Sequence, residues 1–146
     1  MMRSFLLFIV IALCGCQIFS PDHSPLSSED QTIVNAVDSL FSAYQEYTYQ
    51  RFADHLAEEY RPSRRAFLNE ADENRSREKV LDVQFFIDET VQKGATSAVT
   101  LRWQKKIQPY SSGTSAIVEG KATFIFIQTK ADEYKLESIR GDNPFV

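Results

Sequence analysis

The chain has 146 residues, a formal net charge of -4 and two cysteines. That length suits one domain with a core of its own, without help from disulfides or metals. The acidic balance gives no pull toward phosphate backbones, and no basic stripe is interleaved with aromatics, so a nucleic-acid partner is not expected. Both cysteines, Cys14 and Cys16, lie near the N-terminus, so the remainder cannot build a disulfide, a cysteine metal site or a cysteine nucleophile.

Residues 1–16 begin with a short positive region at Arg3, followed by an unbroken apolar run from Phe5 to Leu13. The run has the length of an export-signal core and falls well short of the roughly 20 residues needed to cross a bilayer. It ends in Leu13-Cys14-Gly15-Cys16, which resembles the bacterial lipobox: an apolar residue, a small one, glycine or alanine, then cysteine. The resemblance implies a signal peptide over 1–15, cleavage between Gly15 and Cys16, and attachment of lipid to the Cys16 thiol. Two or more acyl chains make such an anchor stable, where one is marginal. Gln17, rather than an acidic residue, follows the lipidated cysteine, and the resemblance then points to an outer-membrane protein facing the periplasm. Residues 17–28 hold two prolines and four serines and show no periodicity. With Cys16 they read as a tether, reaching about 40 Å when fully extended.

The domain is expected over 29–146. Ser28 with Gln31 three residues on has the pattern of a capping box. Ile33, Val37, Leu40, Phe41, Tyr44 and Thr48 then follow helical spacing, and Phe52, Leu56 and Tyr60 continue it, predicting one long helix or two abutting ones up to Arg61. Pro62 suits a fresh helical start, with a short helix from Ser63 to about Ala71 and a polar connection over 72–77. The period then changes to two. Leu81, Val83, Phe85 and Ile87 alternate with Asp82, Gln84, Phe86 and Asp88, and Val99, Leu101, Trp103 and Ile107 alternate with Thr100, Arg102, Gln104 and Lys106. Gly94 lies between the two runs and makes them a hairpin. A third strand follows over Ala116–Thr129, with Gly120 as a bulge or bend, and a fourth over Tyr134–Ile139, closed by Gly141, Asp142, Asn143 and Pro144.

Helices followed by a four-strand antiparallel meander make an α+β fold, with the helices packed on a curved sheet. The last strand, Tyr134-Lys135-Leu136-Glu137-Ser138-Ile139 followed by Gly141-Asp142, and Trp103 in the middle of the second long strand resemble the nuclear-transport-factor-2-like superfamily, also called SnoaL-like or cystatin-like. That resemblance implies a cone with a pocket at its open end. Members similar to ketosteroid isomerases and dehydratases place an acid, a base or an oxyanion donor there.

The residues offer little for such chemistry. Asp82 and Asp88 fall on the strand face opposite the apolar row, and His55 falls on a helix boundary beside Asp54 and Glu58. Glu70, Asp72 and Glu73 lack the order of a calcium loop. Arg61, Arg64 and Arg65 have Glu58, Glu59 and Glu70 within reach. Arg140-Gly141-Asp142 reads as a turn after a strand. No metal or cofactor is expected. Of the aromatics, Tyr44, Tyr60 and Trp103 are the candidates to line a pocket, and Phe86, which breaks the polar row, is the candidate for a partner-binding surface. The expectation is a lipid-anchored envelope protein that binds a protein partner or a small apolar ligand without catalysis, with a homodimer through the open sheet face as one form of partner. An isomerase- or dehydratase-like enzyme is the alternative.

Overall fold

The computed structural model describes residues 28–130 and 132–146. The expected leader, Gly15, Cys16 and the tether up to residue 27 lie outside the described residues. Three helices, α1 (Ser28–Glu46), α2 (Tyr49–Ala53) and α3 (Arg64–Arg77), precede four strands, β1 (Glu78–Lys93), β2 (Thr96–Pro109), β3 (Ala116–Lys130) and β4 (Glu133–Gly141). The strands form one sheet in sequence order, every neighbour antiparallel.

The stripe of α1 is buried as its spacing predicts: Ile33, Val37, Leu40, Phe41 and Tyr44 are all closed to solvent. The Gln31 side chain donates to Asn35 Oδ1 at 3.0 Å, one turn onward. The predicted continuation to residue 61 does not occur. Thr48 is extended, with φ -110° and ψ 126°, and the aromatic and β-branched run Tyr47-Thr48-Tyr49 has weak helix propensity. After the short α2, residues 55–61 run beside β4. Leu56 bridges Leu136 in parallel. The Ala57 N–H donates to Leu136 O at 2.9 Å, the Leu136 N–H to His55 O at 2.8 Å, and the Arg61 N–H to Glu137 O at 2.8 Å. Phe52, Leu56 and Tyr60 nevertheless all enter the same core, one from a helix and two from the turns and bridge that follow it.

The polar connection expected over 72–77 is instead the second half of α3. Ser63 caps this helix by accepting from the Ala66 N–H at 3.3 Å. Glu73 and Arg77 pair one turn apart on its exposed side, so a charged sequence with little apolar periodicity still forms a helix. The Arg61 cluster also finds different partners from those expected. Arg61 pairs with Glu137 at 3.7 Å, and Arg64 donates to Ala53 O at 2.7 Å.

Alternation in β1 is interrupted by register shifts between Val80 and Asp82 and between Ile87 and Glu89, which makes Val80, not Leu81, the buried residue. In β2 every second residue from Ser97 to Ile107 is buried, Lys105 among them. Gly120 is not a bulge: β3 keeps its register against β2 across it. A Cβ there would stand 2.7 Å from Trp103 Cζ2 and 2.6 Å from Asp142 Cβ, so glycine allows the close approach of indole and chain end. Gly141, at φ +92°, turns the chain inward after β4. Asp142 is then clamped. It donates its N–H to Lys121 O at 2.9 Å, accepts the Lys121 N–H on its carboxylate at 3.1 Å, and accepts the Trp103 indole N–H on its carbonyl at 2.7 Å. Beyond it, Phe145 returns into the core and is fully buried.

Candidate functional site: the cone interior and the outer sheet face

The space between helices and sheet is filled by rings. Phe145 stands at the centre, with centroids 5.3 Å from Phe41, 4.8 Å from Tyr44, 5.3 Å from Phe52 and 5.8 Å from Phe124. Phe41 stacks on Phe85 at 4.8 Å. Tyr60 lies against Phe67 at 4.6 Å, and Phe67 contacts Phe52 at 6.0 Å. Of the three side chains expected to line a pocket, Tyr44 and Tyr60 therefore join one packed cluster. Trp103 stands apart, its indole over Gly120 and bonded to Asp142. Burial pushes the phenols of Tyr44 and Tyr60 well above their usual range.

One polar cluster touches this interior. Lys105 Nζ donates to Glu78 Oε1 at 3.0 Å and to the Tyr44 hydroxyl at 3.5 Å. The same ammonium lies 5.8 Å from the Tyr44 ring, and the Arg75 guanidinium lies 5.5 Å from that ring and 5.3 Å from that of Tyr47. The Lys105 side chain is 6% exposed and that of Glu78 17%, so the pair is held away from bulk water and each charge satisfies the other. Tyr47 donates to Asp72 Oδ1 at 3.2 Å. Partial burial and that carboxylate raise its phenol to about 12. The sequence held one signal for this cluster. Lys105 interrupts an apolar row that runs through Val99, Leu101, Trp103 and Ile107.

The opposite face of the sheet is open. Phe86 is 59% exposed and Ile117 62%. These side chains oppose Arg102 and Lys106 respectively in the ladder, and all four lie on the outer face. The Arg102 guanidinium lies 5.9 Å from the Phe86 ring and donates to Asp88 at 2.9 Å. Lys121 reaches the other oxygen of Asp88 at 3.2 Å. These two cations hold the Asp88 carboxyl below its usual range. Phe86, Arg102, Gln104, Glu119 and Lys121 surround an open groove of about 640 Å³, which Trp103 and Gly120 also line. Asp82 accepts from Gln84 at 2.9 Å. His55 lies in the turn after α2, half-buried. Burial, with Lys135 and Arg51 beside it, lowers its affinity for a proton, and Asp54 partly opposes that. Among the described residues no cluster could hold a metal ion, and no helix is long and apolar enough to cross a membrane.

No family model and no curated protein matches the chain. Solved structures do. A ketosteroid isomerase-like protein from Erwinia carotovora atroseptica aligns at a TM-score of 0.68 with 11% identity, over 82% of this chain and 100% of that one. A nuclear transport factor 2-like superfamily protein from Salmonella enterica serovar Typhimurium aligns at 0.55 with 7% identity, over 78% and 89%. The chain has the nuclear-transport-factor-2-like fold. The beta subunit of a benzoate 1,2-dioxygenase from Burkholderia mallei shares that fold too, at 0.57 with 14% identity, over 80% and 89%. At these identities the likeness carries the architecture alone. Within the nuclear-transport-factor-2-like cone of this chain, the interior is occupied by the chain's own side chains, and the broken alternation at Phe86 has produced an exposed ring.

Proposed function

We propose that the chain is a membrane-tethered, non-catalytic interaction module of a bacterial envelope. Cys16 carries the lipid, the segment after it stands the domain off the membrane, and the outer sheet face around Phe86 receives a protein partner. The observation that carries this reading is the contrast between a cone filled by Phe145 and its ring neighbours and a sheet face that leaves Phe86 and Ile117 in solvent. An isomerase or dehydratase needs a seat for substrate with a base facing it. Here rings take that space, and Glu78 is already held by Lys105. Exposed aromatic and aliphatic side chains beside an arginine have the composition of a binding patch.

A photo-crosslinkable phenylalanine analogue at position 86, in the native host, tests the partner. The expected result is one discrete crosslinked product. A product of twice the chain's mass makes the partner a second copy, another discrete mass makes it a different envelope protein, and the lack of any product defeats the reading. Cys16→Ser tests the anchor separately. Incorporation of a labelled fatty acid and recovery with membranes should both be lost, and their persistence would remove the anchor from the proposal.

A further inference from the structure

The two edges of the sheet differ in what lies beside them. Along β4 run residues 55–61, joined to it by the Leu56–Leu136 bridge and by the bonds of the Ala57 and Arg61 N–H groups. At the opposite edge β1 has β2 as its one strand neighbour, and among the described residues no backbone bond of the kind that covers β4 reaches it. A strand paired on one side turns the N–H and C=O of every second residue away from its neighbour, and such a row is a template for a further strand. The side chains of this edge are open as well. On β2 the inward Leu101 and Trp103 are buried, whereas their β1 partners Ile87 and Phe85 are only partly so, as is Val83. Beside them lies an open groove of about 580 Å³, lined by Asp30 and Val34 of α1 and by Phe85, Ile87 and Glu89 of β1. Phe86 borders this groove as well as the one on the outer face, so edge and outer face are continuous.

We propose that the partner presents an extended segment, apolar on the side toward α1 and basic on the other, which adds to the sheet as a further strand along residues 82–87 of β1. The inference rests on the reading of the Phe86 face as a partner surface and names how that partner is held. The length follows from the register. Shifts between Val80 and Asp82 and between Ile87 and Glu89 bound a run that pairs with β2 one residue to one, and the irregularities on either side bend the edge away. The apolar side follows from Val34, Phe85 and Ile87, which line the groove between strand and helix. The basic side follows from charge. Asp88 is already balanced by Arg102 and Lys121, while Asp82 and Glu89 stand on the outer side of β1 and Asp30 at the groove. Arg102 and Lys106 belong to β2, one strand further in. A lysine or arginine on an added strand therefore meets carboxylates first. A second copy of β1 would instead set these carboxylates against their own like, which disfavours pairing of the edge with itself.

The probe is a short synthetic peptide of alternating valine and lysine, capped at both ends and added to the isotopically labelled full chain. Amide hydrogen exchange should slow by at least about tenfold at every second residue of 82–87, and stay unchanged at the residues between, which β2 already holds. The same peptide methylated on its backbone nitrogens keeps its side chains but has no N–H to give, and should not bind. With glutamate in place of lysine, binding should be at least about tenfold weaker. No saturable binding up to about 1 mM peptide, binding that leaves the 82–87 amides unprotected, or equal binding of the methylated peptide overturns strand addition. Equal binding of the glutamate peptide overturns the basic class. If the chain alone already protects these amides, a doubled mass in sedimentation places a second copy on the edge, and an unchanged mass places a segment of the same chain there; either result overturns a separate partner. A crosslink from position 86 in the host without strand addition by the peptide removes the edge and keeps the face, so the two failures are told apart.

Discussion

The two faces of the same sheet differ more than alternation alone requires. On the inner face Val99, Leu101, Phe124 and Leu136 have no exposed surface and meet the aromatic cluster. On the outer face, a peptide unit away along the same strands, Phe86 and Ile117 stand in water among Arg102, Lys106 and Lys121. The inner face is where burial stabilises the fold. The outer face contributes little to folding and is free to be shaped by what it meets. Substitutions should therefore separate cleanly: inner ones change stability, outer ones change association.

The largest effect is expected from Phe52→Ala. Phe52 is fully buried and touches the rings of Tyr44, Tyr47, Phe67 and Phe145. A loss of about 3–5 kcal/mol follows from transfer and cavity terms together, read from the urea midpoint. A loss below about 1 kcal/mol would show that the interior is looser than its ring contacts indicate.

The polar cluster gives the next effect. Glu78→Gln removes the carboxylate that neutralises a buried ammonium, and should cost about 1.5–3 kcal/mol. Adding Lys105→Met to it should recover stability to within about 1 kcal/mol of the original chain, because the uncompensated charge is then gone. Two single losses that simply add would mean that Lys105 and Glu78 act independently, and that the cluster is not a unit.

How much of this difference was legible beforehand depends on how local its cause is. The α1 stripe and the strand alternation are local, and the curved sheet, the helix on it and the exposure of Phe86 can be read from them. The break at Thr48 left a weak trace, since nothing there except propensity argues against helix, and the pairing of residues 55–61 with β4 joins segments about 80 positions apart. Over 72–77 the charged run hid a helix because it has no apolar spacing to read: Arg75 packs over the rings of Tyr44 and Tyr47 in another element, and the exposed Glu73–Arg77 pair adds little. Lys105 was visible as a charge in an apolar row, but its partners Glu78 and Tyr44 lie in two other elements. Phe145 was beyond reach for the same reason. Its burial depends on Gly141 turning the chain and on Lys121 and Trp103 holding Asp142, and none of these contacts has a periodicity to read.

A smaller effect, and one specific to pH, is expected at the edge between the two faces. His55 lies in a groove with Asp132, Glu133 and Lys135. Burial first, then the charges of Lys135 and Arg51, lower its pKa below the ordinary 6.5. The folded chain thus binds this proton less readily than the unfolded one. The resulting stability is complete above pH 6.5 and is lost as pH falls through the lowered value. The carboxylates act lower down. Glu133 is held near 2 by Lys135 and Thr129 and Asp88 is also lowered, so their contribution fades only below about pH 4.5. Between pH 7 and 5 the urea midpoint should decline gently, and His55→Gln should flatten that decline. An unchanged slope in the variant would assign it to other groups.

The smallest effect on folding should come from Phe86→Ser, and its smallness is what gives it value. A ring that is 59% exposed, touched by Arg102 whose charge is already balanced by Asp88, loses little surface on removal. The change in stability should stay within about 0.5 kcal/mol. If the outer face exists for association, the same substitution should abolish a crosslink formed from a photoreactive residue at Ile117, on the same face. Arg102→Glu should weaken that crosslink more at low salt than at high, because a charge at the rim of a patch acts through screened attraction. A marked loss of stability would place Phe86 with the inner rings. Intact crosslinking in a stable Phe86→Ser chain would show that the exposed ring is not what the partner reads. Only unchanged folding together with lost association fits a sheet whose two faces have separate tasks.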